Sequence, residues 1–140
     1  MSTANEQLVR SFFETLSSGD LERIGTFFDD ETTWTVCAAD IAGAGTHQGR
    51  RAIVDDFLTP VRGWFRPGDP KVEVLSIVAD ERLVMMEGRG RGTFLDGTPY
   101  ENRYAFAFDI EDGRIRAIRE YMDTGYAARI VAEATGSTGT

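Results

Sequence analysis

YENRYAFAFDIEDGRIRAIREYMD, residues 100–123, reads as a β-hairpin and decides the architecture of the chain. Asn102, Tyr104, Phe106 and Phe108 alternate with Glu101, Arg103, Ala105 and Ala107, a period of two that gives a strand one bulky, largely aromatic face. Asp112 and Gly113 supply the turn, because glycine reaches positive φ without a Cβ clash and aspartate bonds to the backbone beyond it. On the returning strand, Arg114 to Met122, the residues Ile118, Glu120 and Met122 share one face, and Ile115, Ala117, Arg119 and Tyr121 share the other. A carboxylate held between two apolar side chains makes Glu120 the first candidate for chemistry.

Upstream of the hairpin lie two more strands. Lys71 to Val78 alternates Val72, Val74 and Ser76 against Glu73, Leu75 and Ile77. A long strand begins at Leu83 and carries GRGRG, with Gly88, Gly90 and Gly92 on one face and Glu87, Arg89 and Arg91 on the other. Such a strand can bend sharply and shows its charges on a single side. Asp96 and Gly97 make the turn into the hairpin.

The chain opens with a helix capped by Ser2 or Thr3, its apolar stripe formed by Leu8, Phe12 and Leu16 with Val9 and Phe13. Ser18-Gly19-Asp20 ends it, and Asp20 caps a second, shorter helix with Leu21, Ile24, Phe27 and Phe28 inward. Thr32 to Val36, centred on Trp34, is β-branched and reads as a short strand. Cys37 to Gly45 has no periodicity and reads as a loop that could close as a lid. A third helix is expected from Arg50 to about Thr59, with Pro60 as its stop. The state of residues 61–69 is open. Tyr126 to Ala134 is a short helical candidate, and residues 135–140, TGSTGT, read as a disordered tail after a single domain over 1–134.

Composition narrows the function. A chain of 140 residues with 41% hydrophobic content and nine Phe can bury one core and still line a cavity with aromatics. The formal charge of −8 excludes nucleic acid and anionic membrane surfaces as partners. No apolar run approaches the roughly 18 residues of a membrane span. One cysteine, Cys37, excludes an intrachain disulfide and suits the cytoplasm. With one histidine, His47, placed as a loop or cap residue, no metal site is expected, and no phosphate loop or Ser-His-Asp set is present.

Helices set apart from a meandering antiparallel sheet make an α+β fold, a curved sheet wrapped around the N-terminal helices over an apolar pocket. The segments SFFETLSSGDLERIGTFFDDETTW, HQGRRAIVDDF and FDIEDGRIRAIREYMDT resemble the SnoaL-like branch of the superfamily that holds ketosteroid isomerase, limonene epoxide hydrolase and small polyketide cyclases. The resemblance spans roughly residues 5–125. It implies a cone-shaped barrel, an apolar pocket, no cofactor, and a homodimer formed through the sheet. At the places of the steroid isomerases' two oxyanion donors and base, this sequence has Phe12, Tyr104 and Val36, of which Tyr104 alone can donate. The epoxide hydrolases bridge two carboxylates with an arginine. Where those enzymes carry the arginine and the first carboxylate this sequence has Glu87 and Arg89, the same charges exchanged, and Glu120 falls on the second carboxylate, while Trp34 and Val36 replace the residues that orient water. The resemblance therefore implies a carboxylate–arginine–carboxylate set, with one acid kept protonated by burial.

The same three residues are also readable as a buried structural ion-pair network, or as surface charges if the register differs by one. Tyr104 and Asn102, with Trp34, Phe12, Val36 and Met122, are the candidate substrate contacts, and each is readable as core packing. Two functions remain: an acid–base enzyme of hydrolase, lyase, isomerase or cyclase type acting on a small apolar oxygenated molecule, or a non-catalytic ligand-binding or structural module.

Overall fold

A computed structural model describes residues 3–136 of the chain. Helix α1 (Ala4–Ser18) starts where the Thr3 hydroxyl accepts the Glu6 amide and stops at Gly19, whose φ of 76° is left-handed. Asp20 caps α2 (Leu21–Gly25) by accepting from the Arg23 amide. These caps satisfy groups that a helix end leaves unpaired. Strand β1 (Thr33–Val36) follows, and β2 (Gly45–Gln48) folds back on it, pairing Val36 with Gly45 and Thr33 with Gln48. Gly45 thus belongs to a strand, and the loop shortens to residues 37–44.

The third helix, α3, is π-helical over Ala52–Leu58 and continues as α-helix over Thr59–Arg62. Pro60 does not stop it. In the wider winding the Thr59 amide and hydroxyl both reach the Val54 carbonyl, the hydroxyl at 2.7 Å, and Pro60 enters at the start of the next α-turn, where no N–H is needed.

Four long strands complete the sheet: β3 (Lys71–Ala79), β4 (Leu83–Thr93), β5 (Pro99–Glu111) and β6 (Arg114–Met122). The order is β2-β1-β6-β5-β4-β3, with β1 parallel to β6 and every other neighbour antiparallel. The sheet is curved and unclosed, and α1 packs across β3 and β4. Asp123 caps α4 (Thr124–Thr135), which ends at Gly136. Thr135 is therefore helical, and the remainder of the expected tail, 137–140, lies outside the described residues.

Two bulges break the alternation. Val74 pairs with Gly88 and Ser76 with Glu87, leaving Leu75 extra; Asp109 pairs with Ala117 and Ile110 with Ile115, leaving Arg116 extra. Each insertion moves the following residues to the other face. Ile77 consequently packs on the core with Val72 and Val74, and Ile115 is buried with Ile118 rather than opposite it. The glycines of GRGRG make room as well. A Cβ on Gly90 would stand 2.7 Å from the Tyr104 ring, and one on Gly92 would stand 2.9 Å from Asp69 Cβ.

Phe12 is the hub of the core. It is wholly buried and meets Phe13, Phe27, Phe28 and Phe108 edge to face at centroid distances of 5.2–6.0 Å. Edge-to-face pairs add to the burial of the rings themselves. Phe12→Ala should lower the unfolding free energy by roughly 3–5 kcal/mol, read from urea denaturation. A loss below about 1 kcal/mol would show that the ring cluster closes over the gap.

Candidate functional site

The inner face of the sheet, the 37–44 loop, α3 and α4 surround a cavity of about 900 Å³. Phe57 and Val61 of α3 and Ala127 and Val131 of α4 form apolar walls, with Trp64 and Phe65 between them. Its polar lining includes Glu120, Tyr100 and Tyr104 on the sheet and Asp40 on the exposed loop. Among the described residues that line it, none is basic.

Glu120 reaches this place through register. The parallel ladder sets Trp34 beside Ile118 and Val36 beside Glu120, so the Trp34 and Glu120 side chains stand on one face, two positions apart. The indole Nε1–H donates to Glu120 Oε1 at 2.8 Å. Among the described residues this is the hydrogen bond that the carboxyl receives, and it leaves Oε2 for the cavity. Loss of water dominates the electrostatics. Burial pushes the Glu120 carboxyl up to about 7, and the indole bond opposes this only in part.

Tyr100, Asn102 and Tyr104 follow one another on the inner face of β5. Asn102 Nδ2 donates to Tyr100 Oη at 3.1 Å and to the Asp123 carbonyl at 3.2 Å, and the Tyr100 and Tyr104 hydroxyls are hydrogen-bonded to each other. Burial raises the Tyr104 phenol well above its ordinary value and raises Tyr100 in the same direction. Arg62, whose guanidinium feels the Tyr104 phenol, is committed elsewhere, its Nη2 donating to the Leu16 and Pro70 carbonyls at 3.1 Å each.

The expected carboxylate–arginine–carboxylate set does not form. Glu120 faces Phe106 and then Met86 across the ladders, whereas Glu87 faces Ala105 and then Tyr121 on the other side of the sheet. No register shift separates β4 from β5, so inward Gly88 and Gly90 force Glu87 and Arg89 outward. Glu87 is exposed, and the nearest acid to Arg89 is Glu73 at 3.9 Å. Of the other candidates, Val36, Tyr104 and Met122 line the cavity, Trp34 stands behind Glu120, Asn102 stands behind Tyr100, and Phe12 lies in the aromatic core.

Sequence reasoning missed Tyr100, Asp40 and the α4 wall. Tyr100 continues the alternation of Asn102 and Tyr104 by one step, a signal hidden by its closeness to the turn. His47 stacks on Phe57 at 4.4 Å, and its Nε2–H donates to the Gly43 carbonyl at 2.7 Å, tethering the 37–44 loop beside the cavity.

Fold and site together define a small α+β protein with an acid set in an apolar pocket. The chain belongs to the SnoaL-like domain family, whose model matches residues 9–118. None of the curated proteins compared matches it. Among solved structures it is similar to Bal32a from a soil-derived mobile gene cassette, with 25% identity, 89% of this chain and 92% of that one covered, and a TM-score of 0.74. An NTF2-like protein of unknown function from Burkholderia pseudomallei gives 18% identity, coverage of 93% and 98%, and a TM-score of 0.81. SalBIII, an epoxide hydrolase/cyclase-like enzyme, gives 18% identity, coverage of 86% and 92%, and a TM-score of 0.68.

The raised acid has a consequence for stability. The unfolded chain ionises Glu120 near the ordinary value of 4.5, but the folded chain holds the proton until about pH 7. Stability present below 4.5 is therefore lost as pH rises to about 7, and the loss is complete above it. Relative to Glu120→Gln, which does not titrate, the wild type should lose roughly 3 kcal/mol across that window. Paired urea denaturation curves at pH 4.5 and 7.5 measure it, and parallel stability profiles would place the Glu120 proton near its unfolded value.

Proposed function

We propose that the protein is a cofactor-independent acid–base enzyme that moves a proton on a small, largely apolar, oxygenated molecule, with Glu120 as the transferring group. The observation that carries this is a cavity carboxyl pushed up to about 7, one oxygen fixed by Trp34 and the other open to an apolar space. A group with such a pKa exists in both protonation states near neutral pH, which suits it to take a proton and return it. With Glu87 and Arg89 on the far face, the arrangement favours one carboxylate working in two directions over a hydrolase that needs two acids bridged by arginine.

The reaction follows from that. Ionised Glu120 removes a proton from carbon beside a carbonyl, or from a hydroxyl that then closes a ring; protonated Glu120 gives the proton back at the other reacting atom. Tyr104 donates a hydrogen bond to the substrate oxygen as charge develops there. SalBIII, which shares the fold, is linked to pyran ring formation and supports a chemistry of this class.

Two surface features extend the reading. The outer face of the sheet exposes Leu75, Val78, Met85 and Tyr121 among Glu87, Arg89 and other charges, and a second copy of the chain covers it in a homodimer. The single cysteine fits a cytoplasmic location.

A cyclic enone incubated in deuterated water should exchange its α-protons in the presence of the protein, with a rate that rises with pH and levels off above about 7. Glu120→Gln should slow that exchange by roughly 10²–10⁴ while the enone still binds. Binding without exchange in the wild type would leave a ligand-binding module. Tyr121→Glu is expected to convert the dimer to monomer in light scattering, and a wild type that is monomeric at high concentration would remove the interface.

A further inference from the structure

We propose that the cavity binds an organic cation: a largely apolar, oxygenated molecule whose tertiary or quaternary ammonium group sits between the Glu120 carboxyl and the aromatic rings of the lining. The inference deepens the acid–base reading and rests on it for the choice of site, while naming a charge that the ligand brings.

A carboxylate inside a protein is ordinarily paired with a cation, because the hydration it gives up must be replaced by an opposite charge. Glu120 has no such partner. It is 8% exposed, and among the described residues its hydrogen bond is the one from Trp34 to Oε1, with Oε2 left toward the cavity. No described lysine, arginine or histidine lines that space. The cations on neighbouring elements are engaged elsewhere: Arg62 donates to the Leu16 and Pro70 carbonyls at 3.1 Å each, and Arg119 pairs with Asp109 at 2.6 Å. His47 is held by the Phe57 ring and the Gly43 carbonyl. The fold thus gives Glu120 no counter-charge of its own, and a ligand ammonium supplies one.

The rest of the lining suits the same group. Trp64, Tyr100 and Tyr104 line the cavity with Glu120, and the electron-rich face of an aromatic ring attracts an alkylammonium, most strongly where water is excluded. The alkyl groups of such a cation pack on apolar walls as well. Asp40, exposed on the 37–44 loop, places a second carboxyl at the rim. The formal charge of −8 attracts a cation to the molecule and repels carboxylates and phosphates. Pairing also ties binding to pH. Glu120 ionises only as pH rises to about 7, so affinity for a cation rises with pH and levels off above that value. The other titratable or charged groups around it are Tyr100 and Tyr104 on β5, Tyr126 on α4, Asp40 on the loop, Arg62 on α3 and His47 on β2. Burial raises the Tyr100 and Tyr104 phenols, so they stay protonated while Glu120 titrates.

The probes are 4-(trimethylammonio)benzyl alcohol and 4-tert-butylbenzyl alcohol, which share a shape and differ by one charge. NMR titrations of the full-length protein read both dissociation constants at pH 5.5 and pH 8, on either side of the Glu120 transition. At pH 8 the cation should bind roughly tenfold tighter than the neutral alcohol. At pH 5.5 its affinity should be about thirtyfold lower, while that of the neutral alcohol changes by less than about threefold. Glu120→Gln keeps the size of the side chain and should abolish both the preference and its pH dependence, which separates Glu120 from His47 as the titrating group. Asp40→Asn should lower the preference about twofold and keep the pH profile. The wild-type pair at pH 8 decides the matter even if Glu120→Gln does not fold. Equal binding of the two alcohols at pH 8, a preference that survives Glu120→Gln, or binding of neither would overturn the inference. A cation preference that depends on Glu120, without α-proton exchange of the enone, would overturn proton transfer and leave this site standing. Exchange of the enone without the preference would do the reverse.

Discussion

A carboxyl stripped of water at the seam between β1 and β6, with one indole N–H in return, is the constraint on which the site depends. The Coulomb and hydration terms favour an ionised Glu120 in solvent, and burial removes most of that advantage. The Trp34 bond recovers part of it without restoring an ordinary carboxylate. The balance exists because β1 runs parallel to β6 in the one register that brings position 34 level with position 118. A shift by one residue would turn Trp34 outward and leave the acid with no donor. The small strand β1, held from the other side by β2, is thus as much part of the site as the long hairpin.

The apolar framework that holds this seam is aromatic, with Phe12 at its centre. Trp34 belongs to both worlds. Its ring packs against Phe12 at 5.8 Å and Phe57 at 5.4 Å, while its N–H serves Glu120. An indole can do this because it carries a large apolar body and a single polar tip. The donor is therefore rigid, and the carboxyl oxygen it holds is rigid with it. The opposite wall is built differently, from the small residues of α4, so the cavity joins a stiff chemical side to an apolar side whose shape is set by Ala127, Ala128 and Val131.

Much of the fold was legible, for reasons that can be named. Thr3, Gly19 and Asp20 act at chain positions where a cap or a left-handed φ is the local solution, so the helix limits follow from adjacent residues alone. The hairpin at Asp112-Gly113 is equally local, and Asp112 and Gly113 both take positive φ. Glu120 was legible because a carboxylate between Ile118 and Met122 violates the pattern of a core strand. What could not be read was phase across distance. The bulges at Leu75 and Arg116 arise from how neighbouring strands meet, and they move Ile77 and Ile115 to faces that strict alternation denies them. β2, the winding of α3 past Pro60 and the meeting of Tyr100 with Tyr104 likewise depend on partners remote in sequence or on side-chain reach.

Strand β4 shows why the expected three-residue set was attractive and why it fails. Its alternation of glycine and charge is strict, so one face must be given up to each. The inner face needs the glycines: Tyr104 occupies the space over Gly90, and Asp69 and Pro70 press on Gly92. Placing Glu87 and Arg89 inside would put side chains where the Tyr104 ring lies and would carry two more charges into an apolar cavity. The polar work inside therefore falls to residues on β5 and β6, where a tyrosine pair and one acid can be desolvated without an accompanying cation. The inner face thus holds a tyrosine pair and one acid beside apolar walls, and the charges of β4 are left to the outer face.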